Sequence, residues 1–243
     1  MLRSVKQLYG FKLGAVDGEI GHVKGFFFDD KSWVIRYLVA DTGSWMPGRT
    51  VLISPYALGP LYTGGRILQV KLTRSKIENS PTLETQLPVA RQHERAFYRY
   101  YNWPVYWEGP GLWGANPIPL VPPYFESPPA DQEPAMDSPE EQDSHLRSTQ
   151  EITGYQIQAK DGEIGHIEDF VVDDENWAIH SLVVATGKWG SGKEVSVPSS
   201  SVERVSWEES RVFVNLTRSS LRDEPQYEPL VPSPRDHDPR IFR

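Results

Sequence analysis

Two pairs of side chains in this 243-residue chain have the types that acid–base or metal chemistry uses: Glu19 with His22, and Glu163 with His166. A carboxylate and an imidazole can share a proton or hold a divalent cation if the backbone brings them together. On a strand, positions three apart face opposite sides, so neither pair converges by itself. Further ligands or partners must come from elsewhere in the chain, and no spacing supplies a defined set. A metal-dependent or enzymatic use of these four residues therefore stands as the alternative to a local, structural one. Asp29-Asp30 and Asp173-Asp174 offer hard oxygen ligands. They lack the Asp-x-Asp-x-Asp-Gly pattern and closing Glu of a calcium loop. Turn-forming aspartates that accept backbone N–H bonds are the reading they support. The sequence contains no nucleophile elbow, dinucleotide fingerprint or His-Glu-x-x-His. Thr186-Gly187-Lys188 lacks the upstream Gly and the following Ser/Thr of a phosphate loop. The expectation is a non-enzyme with no catalytic residues and no cofactor.

The two pairs are copies of each other. Asp17-Gly18-Glu19-Ile20-Gly21-His22 returns 144 positions later as Asp161-Gly162-Glu163-Ile164-Gly165-His166. The same offset joins Leu2-Arg3-Ser4 to Leu146-Arg147-Ser148, Asp29-Asp30 to Asp173-Asp174, Trp33 to Trp177, Trp45 to Trp189, and Leu72-Thr73-Arg74-Ser75 to Leu216-Thr217-Arg218-Ser219. Of the 76 positions from Leu2 to Ile77, 28 are identical to their partners. A repeat of this length is a duplicated domain rather than a solenoid unit.

Within each copy, short β-rich segments alternate with turn residues. In the first, Tyr9–Ala15, Glu19–Phe28, Val34–Ala40, Thr50–Ile53 and Ile67–Leu72 read as strands. Asp17-Gly18 reads as a type I′ hairpin turn, and Gly21 and Gly25 as bulges or close backbone approaches. Ser54-Pro55 opens a single helical turn, and Thr73 or Ser75 caps a short helix toward Glu78. The second copy repeats the plan with Gly154–Ala159, Glu163–Val172, Ala178–Ala185, Glu194–Val197 and Val212–Leu216. Such strands suggest a small antiparallel barrel or sandwich, and barrel closure removes exposed edges.

Both copies contain Ala-x-Asp-Gly-Glu-Ile-Gly-His-[Val/Ile]-x-x-Phe-x-x-Asp-Asp-x-x-Trp followed by Ile-x-x-Leu-Val. This run resembles the PRC-barrel, a domain of the cytoplasmic part of the photosynthetic reaction-centre H subunit and of a bacterial ribosome-maturation factor. The resemblance is nearest to stand-alone bacterial PRC-barrel proteins of unassigned function. It implies a mainly β chain of two small PRC-like barrels in tandem and a non-catalytic protein-interaction or assembly role. A place beside a photosynthetic or other membrane electron-transfer complex is a further alternative by family analogy. In such proteins a stretch like Pro88–Glu94 leading to Tyr98–Pro104 follows the barrel; the second copy has no counterpart.

The organisation expected is a first barrel over 1–80, an aromatic and helical extension over 81–107 with its helix at Gln92–Tyr101, a Pro-rich acidic linker over 108–144, a second barrel over 145–221, and a Pro-rich tail over 222–243. Residues 126–143 have the composition of a disordered segment. Trp45 and Trp189, in Gly-containing loops, and Arg91, His93, Glu94, Tyr98, Tyr101 and Trp103 mix charge with aromatic surface, as a protein contact does. The second use open to the extension is to fold back on the first barrel. Trp33 and Trp177 read as core lids.

Bulk properties bound the rest. The net charge of −8 argues against a nucleic-acid partner. There is no cysteine, hence no disulfide or thiolate metal site, which fits a reducing cytoplasmic location. No apolar run is long enough to span a bilayer. The partner expected is an unidentified protein, with intramolecular pairing of the barrels or homo-oligomerisation both open.

Overall fold

A computed structural model describes residues 1–47, 49–62, 65–81, 91–128, 145–187, 192–222 and 226–228. In chain order the elements of the first part are β1 (Leu2–Ser4), α1 (Val5–Leu8), β2 (Lys12–Ala15), β3 (Gly18–Asp29), β4 (Val34–Asp41), β5 (Val51–Ile53), β6 (Leu58–Tyr62), β7 (Ile67–Val70), α2 (Arg74–Glu78) and α3 (Arg91–Tyr101). There follow β8 (Leu146–Ser148), α4 (Thr149–Ile152), β9 (Gln156–Ala159), β10 (Gly162–Asp173), β11 (Ile179–Thr186), β12 (Glu194–Pro198), β13 (Val202–Ser206), β14 (Arg211–Val214) and α5 (Arg218–Arg222). The chain is mainly β, with two β-rich domains. One sheet has the order β5-β4-β3-β2-β7-β6 and the other β12-β11-β10-β9-β14-β13, the same path in both copies. All pairs are antiparallel except β2 with β7 and β9 with β14, which are parallel. Strands β6 and β13 escaped the sequence reading because Gly59 and Pro60 in one, and Glu203 and Arg204 in the other, break the apolar run.

The described residues group into two compact units, and neither is one uninterrupted copy. The first-copy unit holds Tyr9–Arg147 with Glu175–Trp177; the second-copy unit holds Met1–Leu8, Ser148–Asp174 and the chain from Ala178 on. The cause lies in strand lengths. Strand β10 has twelve residues, but its hairpin partner β9 has only four and covers Gly162–His166. The far half of that edge is left without a ladder partner, and β1 fills it: Leu2 lies opposite Asp173, Arg3 opposite Val172 and Ser4 opposite Val171. In the first-copy unit β3 and β2 have the same unequal lengths, and β8 pairs with β3. Capping an open edge in this way removes unpaired N–H and C=O groups. The boundaries read from the repeat, 1–80 and 145–221, trace the duplicated copies; the spatial units exchange their first strands.

The charged residues of the repeated Leu-Arg-Ser strand follow the exchange. Arg3 Nε donates to Asp174 Oδ2 at 2.8 Å in the second-copy unit, and Arg147 Nε donates to Asp30 Oδ2 at 3.1 Å in the first-copy unit. Ser4 Oγ and the Lys6 amide both donate to the buried Asp169 carboxylate. The cores are built from alternate strand positions. Leu13, Ile20, Phe26, Phe28, Ile35, Leu38 and Ile53 are buried in one unit, and Ile157, Ile164, Phe170, Leu182, Val195 and Val212 in the other. Each such side chain contributes about 1.5–3 kcal/mol on burial. Trp33 and Trp177 are buried as expected, and both adopt positive φ, 55° and 61°.

The units differ on the outside of β4. Every residue of β4 from Val34 to Ala40 is buried, whereas His180, at the repeat position of Arg36, is exposed. The cover on β4 is α3 and the segment to Phe125, which only the first copy carries.

Candidate functional site

The repeated hexapeptide is positioned by a two-residue hairpin. Ala15 pairs with Gly18, and Ala159 with Gly162, so the loops are Val16-Asp17 and Lys160-Asp161. This corrects the expected type I′ turn centred on Asp-Gly. Neither Val16 nor Asp17 has positive φ; Gly18 has it (146°) and opens the strand. The aspartate is used elsewhere. Asp17 Oδ1 accepts from the Arg74 amide at 2.7 Å, and Asp161 Oδ1 accepts from the Arg218 amide at 2.7 Å. Beside these bonds the Val16 amide donates to Leu72 O and the Lys160 amide to Leu216 O. The two longest repeated motifs, Asp-Gly-Glu-Ile-Gly-His and Leu-Thr-Arg-Ser, thus clasp one another in each unit. Thr73 and Thr217 complete the start of α2 and α5 by accepting from the Lys76 and Ser220 amides.

The second glycine of the motif is fixed by space. A Cβ on Gly21 would lie 1.9 Å from Asp41 O, and one on Gly165 1.9 Å from Ala185 O. Only hydrogen fits between β3 and β4, or β10 and β11, at these points.

Glu19 and His22 do not converge on a shared ligand. Both are exposed, and the Glu19 carboxylate lies 3.3 Å from Lys12 Nζ. In the second copy Glu163 is exposed, while His166 Nε2 lies 2.9 Å from Glu168 Oε1, a partner two residues away. That bond holds the Glu168 carboxyl below its ordinary range. Among the described residues no group of three or more His, Asp or Glu side chains is arranged to hold a metal ion. Asp29 makes the turn: its Oδ1 accepts from the Lys31 and Ser32 amides. Asp30 and Asp174 serve the exchanged arginines.

The aromatic extension folds back on the first-copy unit. Glu94, Tyr98, Tyr101 and Trp103 are buried, at 2%, 0%, 8% and 7% exposure. Their contacts are with their own unit, so they present no surface to a partner. Arg91 is half-buried and His93 exposed. Trp45 is half-exposed with its ring under the Arg74 guanidinium, 4.8 Å from the centroid. Trp189 lies outside the described residues, as do 82–90, 129–144 and most of the tail, so the expectations of disorder over 126–143 and 222–243 fall largely there.

At the centre of the extension sits one buried carboxylate. Glu94 Oε1 accepts from Tyr37 OH at 2.8 Å and from Tyr106 OH at 3.0 Å, and Glu94 Oε2 from Arg91 Nη1 at 3.1 Å. Burial pushes the Glu94 carboxyl above its usual range, opposed by Arg91 and the two phenols. Burial likewise pushes the Tyr37 and Tyr106 phenols well above theirs, with Glu94 adding to the shift. Arg36 is 2% exposed; its guanidinium lies 3.9 Å from the Tyr106 ring centroid and 4.9 Å from that of Trp113, and it donates to Leu112 O. Sealed from solvent, this network orients α3 on β4. The sequence reading missed Arg36, Tyr37, Tyr106 and Trp113. The available signal was the departure from the repeat: His180 and Ser181 replace Arg36 and Tyr37 in the copy that lacks the extension.

The PRC-barrel domain model matches residues 147–221, the second copy. No curated protein matches the chain. No helix among the described residues is long and apolar enough to cross a membrane.

Proposed function

We propose that this chain is a non-catalytic protein-interaction or assembly module, built from two PRC-barrel-like units and acting in the cytoplasm. The observation that carries this reading is the clasp. Asp17 and Asp161, the reactive side chains that open the repeated motif, are each committed at 2.7 Å to the amide that starts the closing helix. The motif's glycines are committed to close strand approach. What was duplicated is the chemistry of building the domain, as expected of a scaffold whose surface does the work. The alternative of a metal-dependent binder or enzyme has less to rest on, since Glu19 is engaged by Lys12 and His166 by Glu168. Trp45 is the aromatic best placed for an external contact: half-exposed, and held by Arg74.

Affinity capture with the full chain from the native cell at low salt, beside a Trp45→Ala chain of equal thermal stability, tests this. The expected result is a reproducible stoichiometric protein partner whose recovery falls with Trp45→Ala. Subunits of membrane electron-transfer complexes are the partners to look for first, on family resemblance. Stoichiometric metal in the purified protein, lost together in His22→Ala and His166→Ala, would overturn the reading in favour of the alternative.

A further inference from the structure

A cavity of about 310 Å³ lies in the first-copy unit between α3, the chain from Trp103 to Glu108, and the Pro-rich segment ending at Pro128. Its volume is at the lower end of the range for small-molecule sites. Arg95 and Arg99, one helical turn apart on α3, line one side. Trp103 and Phe125 supply apolar wall. The charged groups in the lining are two guanidiniums and one carboxylate, Glu108, which accepts from Arg95 Nη1 at 2.9 Å. The lining therefore carries one net positive charge. Ser127 also lines it, and its hydroxyl is buried with no hydrogen-bond partner. A buried hydroxyl without a partner costs about 1–3 kcal/mol, so such a group on a cavity wall is a donor for whatever enters.

We propose that this cavity binds a small monocarboxylate with an apolar, aromatic body. The carboxylate is received by the Arg99 guanidinium and the Ser127 hydroxyl, and the body lies against Trp103 and Phe125. A monoanion matches the single excess positive charge. A dianion such as phosphate would bring a second negative charge toward Glu108 and would have to shed a larger hydration shell against an apolar wall. A cation would meet two guanidiniums. Nothing corresponding exists in the second copy, which lacks the extension, so the site belongs to the first-copy unit alone.

The test uses the full chain with phenylacetate and benzoate as probes, against the neutral isosteres phenylacetamide and benzamide, by saturation-transfer NMR and titration. The expected result is saturable binding of the acids, with the amides weaker by roughly ten-fold or more. Arg99→Met, which keeps the bulk of the stem, brings the acids down to the level of the amides. Ser127→Ala weakens the acids without changing the amides, and it decides the matter if Arg99→Met does not fold. Equal binding of acid and amide overturns the proposal. So does an acid preference that survives both substitutions, or the absence of saturation at millimolar probe.

Discussion

Gly21 and Gly165 show how much one missing Cβ decides. Gly21→Ala places a methyl 1.9 Å from Asp41 O at a φ of 127°, so the β3–β4 ladder must open. We expect a loss of roughly 2–4 kcal/mol in urea unfolding. Gly43→Ala is the control: its φ is +54° but no atom lies within 4 Å of the new methyl, and the cost expected is about 1 kcal/mol. Equal losses would show that φ rather than space governs Gly21. Glu94 makes a pH-dependent case. Burial raises its carboxyl above the ordinary 4.5, so the fold prefers the neutral form. Its contribution is full below the ordinary value and declines as pH rises through the elevated one. Wild type should therefore lose stability relative to Glu94→Gln between about pH 4 and about pH 8. Chemical denaturation across that window reads this difference, and parallel slopes for the two proteins would refute the assignment.

Strand β1 is an element of the second-copy unit although it precedes the first copy in sequence. Removing residues 1–8 should expose amides on β10 near Val171 and Val172, the partners of Ser4 and Arg3, while β3 in the first-copy unit keeps its protection. Hydrogen exchange followed by mass spectrometry resolves the two strands. Arg3→Ala is the milder version; losing a charge-assisted bond from a residue 8% exposed should cost about 1–3 kcal/mol in the same unit. Deprotection of β3 instead would mean that each copy keeps its own first strand. The helices show the same dependence on distant chain: α2 and α5 have five residues each and are anchored by an aspartate 57 residues upstream.

Across the whole molecule the duplication is unequal, and the inequality is aromatic. The first-copy unit adds α3 and a segment whose centre is Trp113, fully buried, edge-on to Tyr56 at 5.2 Å and donating from Nε1 to Asn176 O at 2.8 Å. Tyr98 and Trp103 join the same cluster, and Tyr101 stacks on Trp103 with centroids 4.4 Å apart. Burial carries the Tyr101 phenol up to about 12. Trp113→Ala should destabilise the first-copy unit by roughly 3–5 kcal/mol and leave amide protection in β10 and β11 unchanged. Equal loss of protection in both units would show that they unfold as one.

The duplication, the mainly β class, most strand positions and the cap at Thr73 were legible in the sequence, because hydrophobic alternation, turn residues and repeated identities are local properties of the chain. So was the restraint about Glu19 and His22, since three positions on a strand cannot bring two side chains to one face. What the sequence left undecided is which copy a repeated residue serves. Arg3 and Arg147 are identical, as are Asp30 and Asp174, and either pairing satisfies the charges; only the unequal lengths of β9 and β10, and of β2 and β3, assign the strands. The fate of the extension was also undecided, because Tyr98, Tyr101 and Trp103 suit a partner's surface and a core equally well. Tyr37 and Arg36 on β4, more than 50 positions away in the chain from these aromatics, offer Glu94 and Trp113 their partners. Burial is a property of what comes together in space, and that was settled only by the tertiary structure.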